Sequence, residues 1–288
     1  MMPLPIFVFL IVLAVLVVAA AIWLYCIRPR SSLTGPEKKA FQQYDYAHRG
    51  FYLRDQSIPE NSLPAFQRAV SKGFGVELDL QLTADGHVVV FHDDTLKRMC
   101  GVDVAVESLT LKELQKYSLA QSGEKIPLFS QVLKVMNGKT PMIIELKPYG
   151  NTAELCSKTC ELLLGYRGLW CVESFSPTVV QWFRKNQPKV VRGQLMAKFT
   201  RKDKHFNIFT AFLARNLFVN VLGRPDFIAY DVNARRNWSL RAACRLFHAQ
   251  EVCWTIRTPQ QLWSIKTEGA IGIFEHFDPS QVNSMMAE

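Results

Sequence analysis

Four short stretches of the chain carry residue types suited to chemistry. His48-Arg49-Gly50 sets an imidazole beside a guanidinium, and His92 is followed by Asp93 and Asp94. Glu77 and Asp79 are two positions apart, as are Glu145 and Lys147, the latter just before Pro148. In an extended segment residues i and i+2 share a face, so each spaced pair presents both side chains to one side. Three carboxylates cannot all ionise in a small site without a counter-charge, because like charges disfavour one another. A divalent cation resolves this, and an all-oxygen donor set selects hard Mg²⁺ or Ca²⁺ over Zn²⁺. Arg49 and Lys147 suit a phosphate, Arg as a fork and Lys as a point charge. His48 and His92 supply a base and an acid near neutral pH. Metal, cations and two imidazoles together describe cleavage of a phosphodiester.

Each group has a plainer reading when taken singly. A lone His at a strand end is usually a satisfied polar residue, a Glu-x-Asp pair is usually a solvated face, and Lys147 can simply pair with Glu145. Yet Glu77 and Asp79 alternate with Val76, Leu78 and Leu80. If the apolar face meets helices, the acids face the other way, into an interior. Unused acids there would cost roughly a few kcal/mol each in desolvation.

The elements that must position these groups follow from the apolar rhythm. Eight short runs read as strands: 44–48, 75–80, 142–147, 169–174, 190–196, 226–231, 252–256 and 271–275. Amphipathic stretches at 62–72, 152–165, 177–186, 239–249 and 259–266 read as helices between them. Strand-helix alternation predicts a parallel sheet with crossover helices, and eight units in about 250 residues predict an α/β fold of the (β/α)8, TIM-barrel type. Strand C-termini then ring one mouth, where the groups above collect. Residues 88–92 read as an extra strand paired back through Ala84-Asp85-Gly86, and 95–140 as a small insertion after the second strand.

The order of these motifs resembles the glycerophosphodiester phosphodiesterase family. The likeness is carried by Tyr46-Ala47-His48-Arg49-Gly50, Pro59-Glu60-Asn61-Ser62, Glu77-Leu78-Asp79, His92-Asp93-Asp94-Thr95-Leu96 and Ile144-Glu145-Leu146-Lys147, and extends over about residues 44–275. It implies a (β/α)8 barrel that hydrolyses glycerophosphodiesters to glycerol 3-phosphate and an alcohol. Carried over position by position, Glu77, Asp79 and Glu145 match metal ligands, with Glu60 a further carboxylate beside the metal. His48 and His92 match the general acid/base pair, and Arg49 and Lys147 the phosphate contacts. Trp254 matches an aromatic near the glycerol; its plainer reading is core packing. The implied mechanism has a free glycerol hydroxyl attack phosphorus, after which water opens the cyclic phosphate; His48 is expected as first base and His92 as acid to the leaving alcohol. Two positions depart from the family pattern. Asn61-Ser62 replaces Asn-Thr, and Phe274-Glu275-His276-Phe277-Asp278-Pro279 replaces Thr-Asp-aromatic-Pro, which bears on the alcohol accepted.

Composition sets the surroundings. The 288 residues are 49% hydrophobic and 20% charged, which excludes a disordered chain. Residues 4–27 carry no charge, enough for one helix to cross a hydrocarbon core about 30 Å thick. Arg28, Arg30, Lys38 and Lys39 all follow this run, so the positive-inside rule places the remainder in the cytoplasm, on a single-pass cell-membrane anchor. Ala19-Ala20-Ala21 is the contrary signal, being small enough for a signal peptidase. The expected division is 1–40, anchor and basic linker, and 41–288, catalytic barrel. Seven cysteines without a CxxC pair form neither a zinc site nor a disulfide scaffold. The net charge of +9 is matched by residues 178–224, which hold ten Lys or Arg against Asp203 alone. Within them Phe206–Leu222 is apolar on more than one face, either as a connection packed on the barrel or as an arm dipping into lipid under the cations of 198–222. The cations are not interleaved with a nucleic-acid-binding motif, which argues against nucleic acid. No feature specifies an oligomeric state.

The expected function is therefore metal-dependent hydrolysis of glycerophosphodiesters. The alternatives are lysophospholipase D-like cleavage of lysolipids at the membrane, or cleavage of a polyglycerol-phosphate polymer. From another class comes an inactive tethered barrel that binds phosphate headgroups, which the presence of all seven core residues disfavours.

Overall fold

A computed structural model describes residues 3–30, 36–198, 207–280 and 282. Its strands are β1 (Tyr46–Ala47), β2 (Gly75–Leu82), β3 (Val88–Val90), β4 (Met142–Leu146), β5 (Trp170–Ser174), β6 (Arg192–Met196), β7 (Phe227–Asp231), β8 (Gln250–Ile256) and β9 (Ile271–Phe274). The sheet order is β1-β9-β8-β7-β6-β5-β4-β2-β3, and parallel pairing of β1 with β2 closes it. Eight parallel strands thus form the expected TIM-type barrel. The ninth, β3, runs antiparallel to β2, opposing Leu80 to Val90 and Leu82 to Val88.

Alternation decides which residues face which layer. Val76, Leu78, Leu80, Met142, Ile144 and Leu146 pack outward under helices such as Leu63–Ser71 and Phe129–Met136. Tyr46, Ile143, Cys171, Leu195, Phe227 and Ile273 belong to a second cluster that plugs the interior. The insertion after β2 has its own small core, built on Val89, Phe91, Leu96, Leu114 and Ile126. Ser62 caps the helix after β1 by accepting from Ala65 N–H at 3.3 Å, so the Asn-Ser departure keeps a working N-cap.

Two apolar segments differ from their sequence outlines. The apolar run around 206–222 is not one helix: Ile208–Arg215 ends before Leu217, which takes φ 60°, and a short turn Asn220–Gly223 follows. Leu217, Asn220 and Gly223 pack into the barrel, whereas Ile208, Phe209 and Phe212 stay exposed. The segment is therefore half connection and half free surface; Phe206, Arg201, Lys202 and Lys204 lie outside the described residues. The long helix Leu4–Ile27 is exposed over most of its length but meets the barrel at its end, where Ile27 is fully buried.

Candidate active site

The first motif is shaped by its backbone. His48 leaves β1 with its N–H donating to Phe274 O at 2.8 Å. Arg49 then takes φ 54°, which turns its own N–H onto Glu77 Oε2 at 3.0 Å. Gly50 follows at φ 80°, and a Cβ there would lie 2.9 Å from Ala65 Cβ, so both the dihedral and the helix behind it demand glycine.

The acids converge as their spacing predicts. Glu77 and Asp79 face inward from β2, and Asp79 stands beside Glu145 in register on β4. One oxygen from each of the three lies within 4.8 Å of the others, and all three residues are buried. Lys147 Nζ lies 2.8 Å from both Asp79 Oδ1 and Glu145 Oε1. The ammonium thus bridges the two acids as a close, buried ion pair. Three converging, buried carboxylates with an all-oxygen donor set fit a hard divalent cation.

The charges are balanced tightly. Burial raises the Glu77 carboxyl well above its usual range, with Asp79, Glu145 and Glu173 adding to the effect. Burial acts the same way on Asp79, but Lys147, His92 and Arg49 outweigh it and hold that carboxyl well below its usual range. Burial and the Asp79 charge raise Glu145 despite Lys147. Burial would lower Lys147, yet Asp79 and Glu145 prevail and raise it.

Each histidine is steered by a carboxylate. His48 Nδ1 is 2.8 Å from Glu275 Oε2, leaving Nε2 toward Glu77 Oε2 at 3.9 Å. His92 Nδ1 is 2.6 Å from Asp93 Oδ1. Burial and then Arg49 lower the His48 pKa, against the hydrogen bond and charge of Glu275. Burial and Lys147 push His92 down to about 4. Both rings are thus neutral at pH 7 in the protein alone.

The remaining expected residues sit around these. Arg49 is held by Glu60 at 2.6 Å and lies 3.6 Å from Asp79, with its Nε buried and without a hydrogen bond. Glu60 is gripped by both Arg49 and Arg98, and is not among the three acids whose oxygens converge. Trp254 meets Phe175 edge-on at 5.9 Å, and both line a cavity of about 650 Å³ together with His48, His92, Glu77 and Glu145.

Three participants escaped the sequence reading. Glu173, one residue before the end of β5, stands beside Glu145, buried, with Oε2 lacking a hydrogen bond; burial, then Glu145 and Asp79, raise its pKa. Its signal was an acid in the otherwise apolar run 169–174. Glu275 was seen only as part of a divergent closing pattern. Here it receives hydrogen bonds from Tyr52 at 3.0 Å and Arg257 at 2.8 Å as well as holding His48. Burial raises its pKa, but His48 and Arg257 outweigh this and bring it to about 2. Arg98 ties Glu60 to Asp93, linking the loop after β1 to the His92 segment.

Comparisons with known proteins place the chain in one family and fold. A phosphodiesterase from Oleispira antarctica, solved in complex with the product sn-glycerol-3-phosphate, superposes with a TM-score of 0.67 over 87% of this chain and 99% of its own, at 21% identity. The glycerophosphodiester phosphodiesterase of Caldanaerobacter subterraneus subsp. tengcongensis is 38% identical over 109 residues, 35% of this chain and 44% of that one. Human lysophospholipase D GDPD1 is 33% identical over 143 residues, 45% of this chain and 44% of that one. The chain thus spans about half the length of the curated relatives it matches. A profile of the glycerophosphoryl diester phosphodiesterase family matches residues 48–277, most of the 288, and on that match the chain belongs to this family.

Proposed function

We propose that the chain is a metal-dependent phosphodiesterase that splits glycerophosphodiesters into glycerol 3-phosphate and an alcohol. The observation that carries this reading is the convergence of the Glu77, Asp79 and Glu145 oxygens in the cavity shared with two carboxylate-steered histidines. A Ca²⁺ or Mg²⁺ ion held by these three would offset the charge on the phosphate oxygens and polarise the phosphorus. His48, neutral and with its Nδ1 side fixed by Glu275, offers Nε2 to take the proton of the attacking glycerol hydroxyl. The new oxygen–phosphorus bond forms as the bond to the alcohol breaks, and His92 delivers a proton to the departing oxygen; water then opens the cyclic phosphate to glycerol 3-phosphate, with the two histidines in exchanged roles. His92 is neutral in the free protein, so it takes up that proton once the anionic diester lies beside it. Arg49 and Lys147 orient the phosphate, and Trp254 with Phe175 packs on the glycerol side.

A second reading concerns the substrate's other end. The family kinship with a lysophospholipase D and the apolar helix Leu4–Ile27 support lysolipids as substrates and a single-pass membrane anchor. The cations after that helix support a cytoplasmic barrel.

The test is release of glycerol 3-phosphate from glycerophosphocholine by the full chain in detergent, with Ca²⁺, Mg²⁺ or EDTA. Release is expected only with metal, and His48→Ala and Glu77→Ala should each lower it about 1,000-fold or more. Folded, metal-loaded protein that leaves both glycerophosphocholine and lysophosphatidylcholine intact would refute the activity and favour a headgroup-binding barrel.

A further inference from the structure

The end of the apolar helix is fastened to the barrel by contacts that fix its direction. Arg30 donates to Pro188 O and pairs with Asp226 at 2.8 Å, while its N–H reaches Pro225 O; these residues precede β6 and β7, at the strand starts. Arg224, just before β7, donates to Tyr25 O at 2.6 Å and Arg28 O at 2.8 Å and stacks on the Tyr25 ring. One turn back, Trp23 Nε1 donates to Ser239 Oγ at 3.0 Å. Ser239 opens the helix Trp238–Phe247 that follows β7, so it lies toward the strand ends. Travelling from Arg30 to Trp23 therefore moves from the closed end of the barrel toward its mouth. The exposed remainder, Leu4–Ile22, continues in that direction for about 28 Å.

The surface met on that side is apolar. Ile208, Phe209, Phe212 and Trp238 are 64, 67, 55 and 83% exposed, and all line one cleft of about 1,150 Å³. The cleft is at the mouth: Met196 at the end of β6 lines it, while the preceding Leu195 lines the catalytic cavity. Exposed Lys198, Arg215 and Arg236 flank it, and no carboxylate lines it among the described residues. Aromatic side chains ringed by cations complement an anionic lipid surface.

We propose that the docked helix turns the catalytic mouth toward the bilayer and that the Phe209–Phe212–Trp238 rim enters the lipid. The substrate is then a single-chain glycerophospholipid taken from the membrane plane. This rests on reading Leu4–Ile27 as an anchor.

The test uses the full chain in phosphatidylcholine–phosphatidylglycerol vesicles, with and without brominated acyl chains that quench tryptophan. Trp238→Phe should remove about half of the bromine-quenched emission. Trp182→Phe, on a helix segment nearer the strand starts, should leave that share intact. Unchanged quenching in Trp238→Phe would overturn the orientation, whatever the activity. In the same vesicles Phe209→Asp/Phe212→Asp should lower lysophosphatidylcholine hydrolysis about tenfold relative to glycerophosphocholine, and an unchanged ratio would overturn the substrate class. Wild-type protein that cleaves neither lipid nor diester would refute the enzymatic reading and the substrate class with it, while the quenching still decides the orientation.

Discussion

Two buried cations, one in each half of the barrel, are held in opposite ways. Lys147 leaves β4 between two carboxylates, and despite the cost of burial these acids raise its pKa. Arg192 opens β6 at the closed end, donating to Gly223 O at 2.9 Å and Arg224 O at 3.1 Å, and its backbone N–H donates to Asp226 at 3.1 Å. Burial there pushes its pKa down to about 10, with Asp226 opposing. The first cation is a counter-charge in a site whose acids can take another cation. The second ties together backbone carbonyls where the apolar helix docks. The three converging acids and both histidines thus lie on the early strands and their loops, and the attachment at β6 and β7, so substitutions in the two places should fail differently.

The largest effects come from removing each cation in turn. Lys147→Met leaves uncompensated buried acids, and breaking such a pair costs about 3–5 kcal/mol. Its Tm without metal should fall by about 10 °C, given 2–4 °C per kcal/mol in a domain of this size. Ca²⁺ should restore much of that loss but not turnover, which should drop about 1,000-fold if Lys147 holds the phosphate as proposed. Arg192→Met should lower Tm comparably whether or not metal is present, and well below Tm its turnover should stay near wild type. Calorimetry with and without Ca²⁺ separates the two; metal rescue of Arg192→Met would erase the contrast.

Glu275 tests the seam, because it follows the last strand yet serves the histidine that follows the first. Its negative charge raises the His48 pKa against the lowering by burial and Arg49. Neutral Gln removes that support, so His48 in Glu275→Gln should stay unprotonated to lower pH. The acid limb of kcat/KM should move toward lower pH, and kcat should fall about tenfold because the neutral amide is a weaker acceptor that orients the ring less firmly. Glu275→Asp should recover part of both. An acid limb that does not move would show that His48 is not the group titrating there.

How much of this was readable beforehand follows from the range of each interaction. Glu77, Asp79, Glu145 and Lys147 announced themselves because an i, i+2 spacing on a strand is a local fact. All eight barrel strands were found, within a few residues at their ends, for the same reason. Glu275 could be quoted but not assigned, since its partner His48 lies 227 residues away and meets it only when β9 pairs with β1. Glu173 needed the register of β5 on β4 to join the acids. Hydropathy treated Leu4–Ile27 as a uniform span, although its last turn is barrel surface; Trp23 finds Ser239 216 residues later. The break at Leu217 was hidden because composition records that a run is apolar, not which part finds a covering surface.

The smallest effect belongs to that last turn. A helix leaves its final carbonyls without intrahelical partners, and Arg224 supplies donors to two of them near the end of Leu4–Ile27 while its guanidinium covers the Tyr25 ring at 4.5 Å. Arg224→Ala should cost about 1–2 kcal/mol from the charge-assisted bonds and the stacking together. Tyr25→Ala removes the ring but keeps the carbonyl, so it should cost less. If ring and cation act on each other, the double variant should be less destabilised than the sum, by about 0.5–1 kcal/mol. Full additivity would mean that the ring contributes nothing to the grip of Arg224, leaving the carbonyl bonds, Arg30, Trp23 and buried Ile27 to hold the dock. In either case hydrolysis of a water-soluble diester should not change, because these residues sit at the opposite end of the barrel from His48 and Glu77.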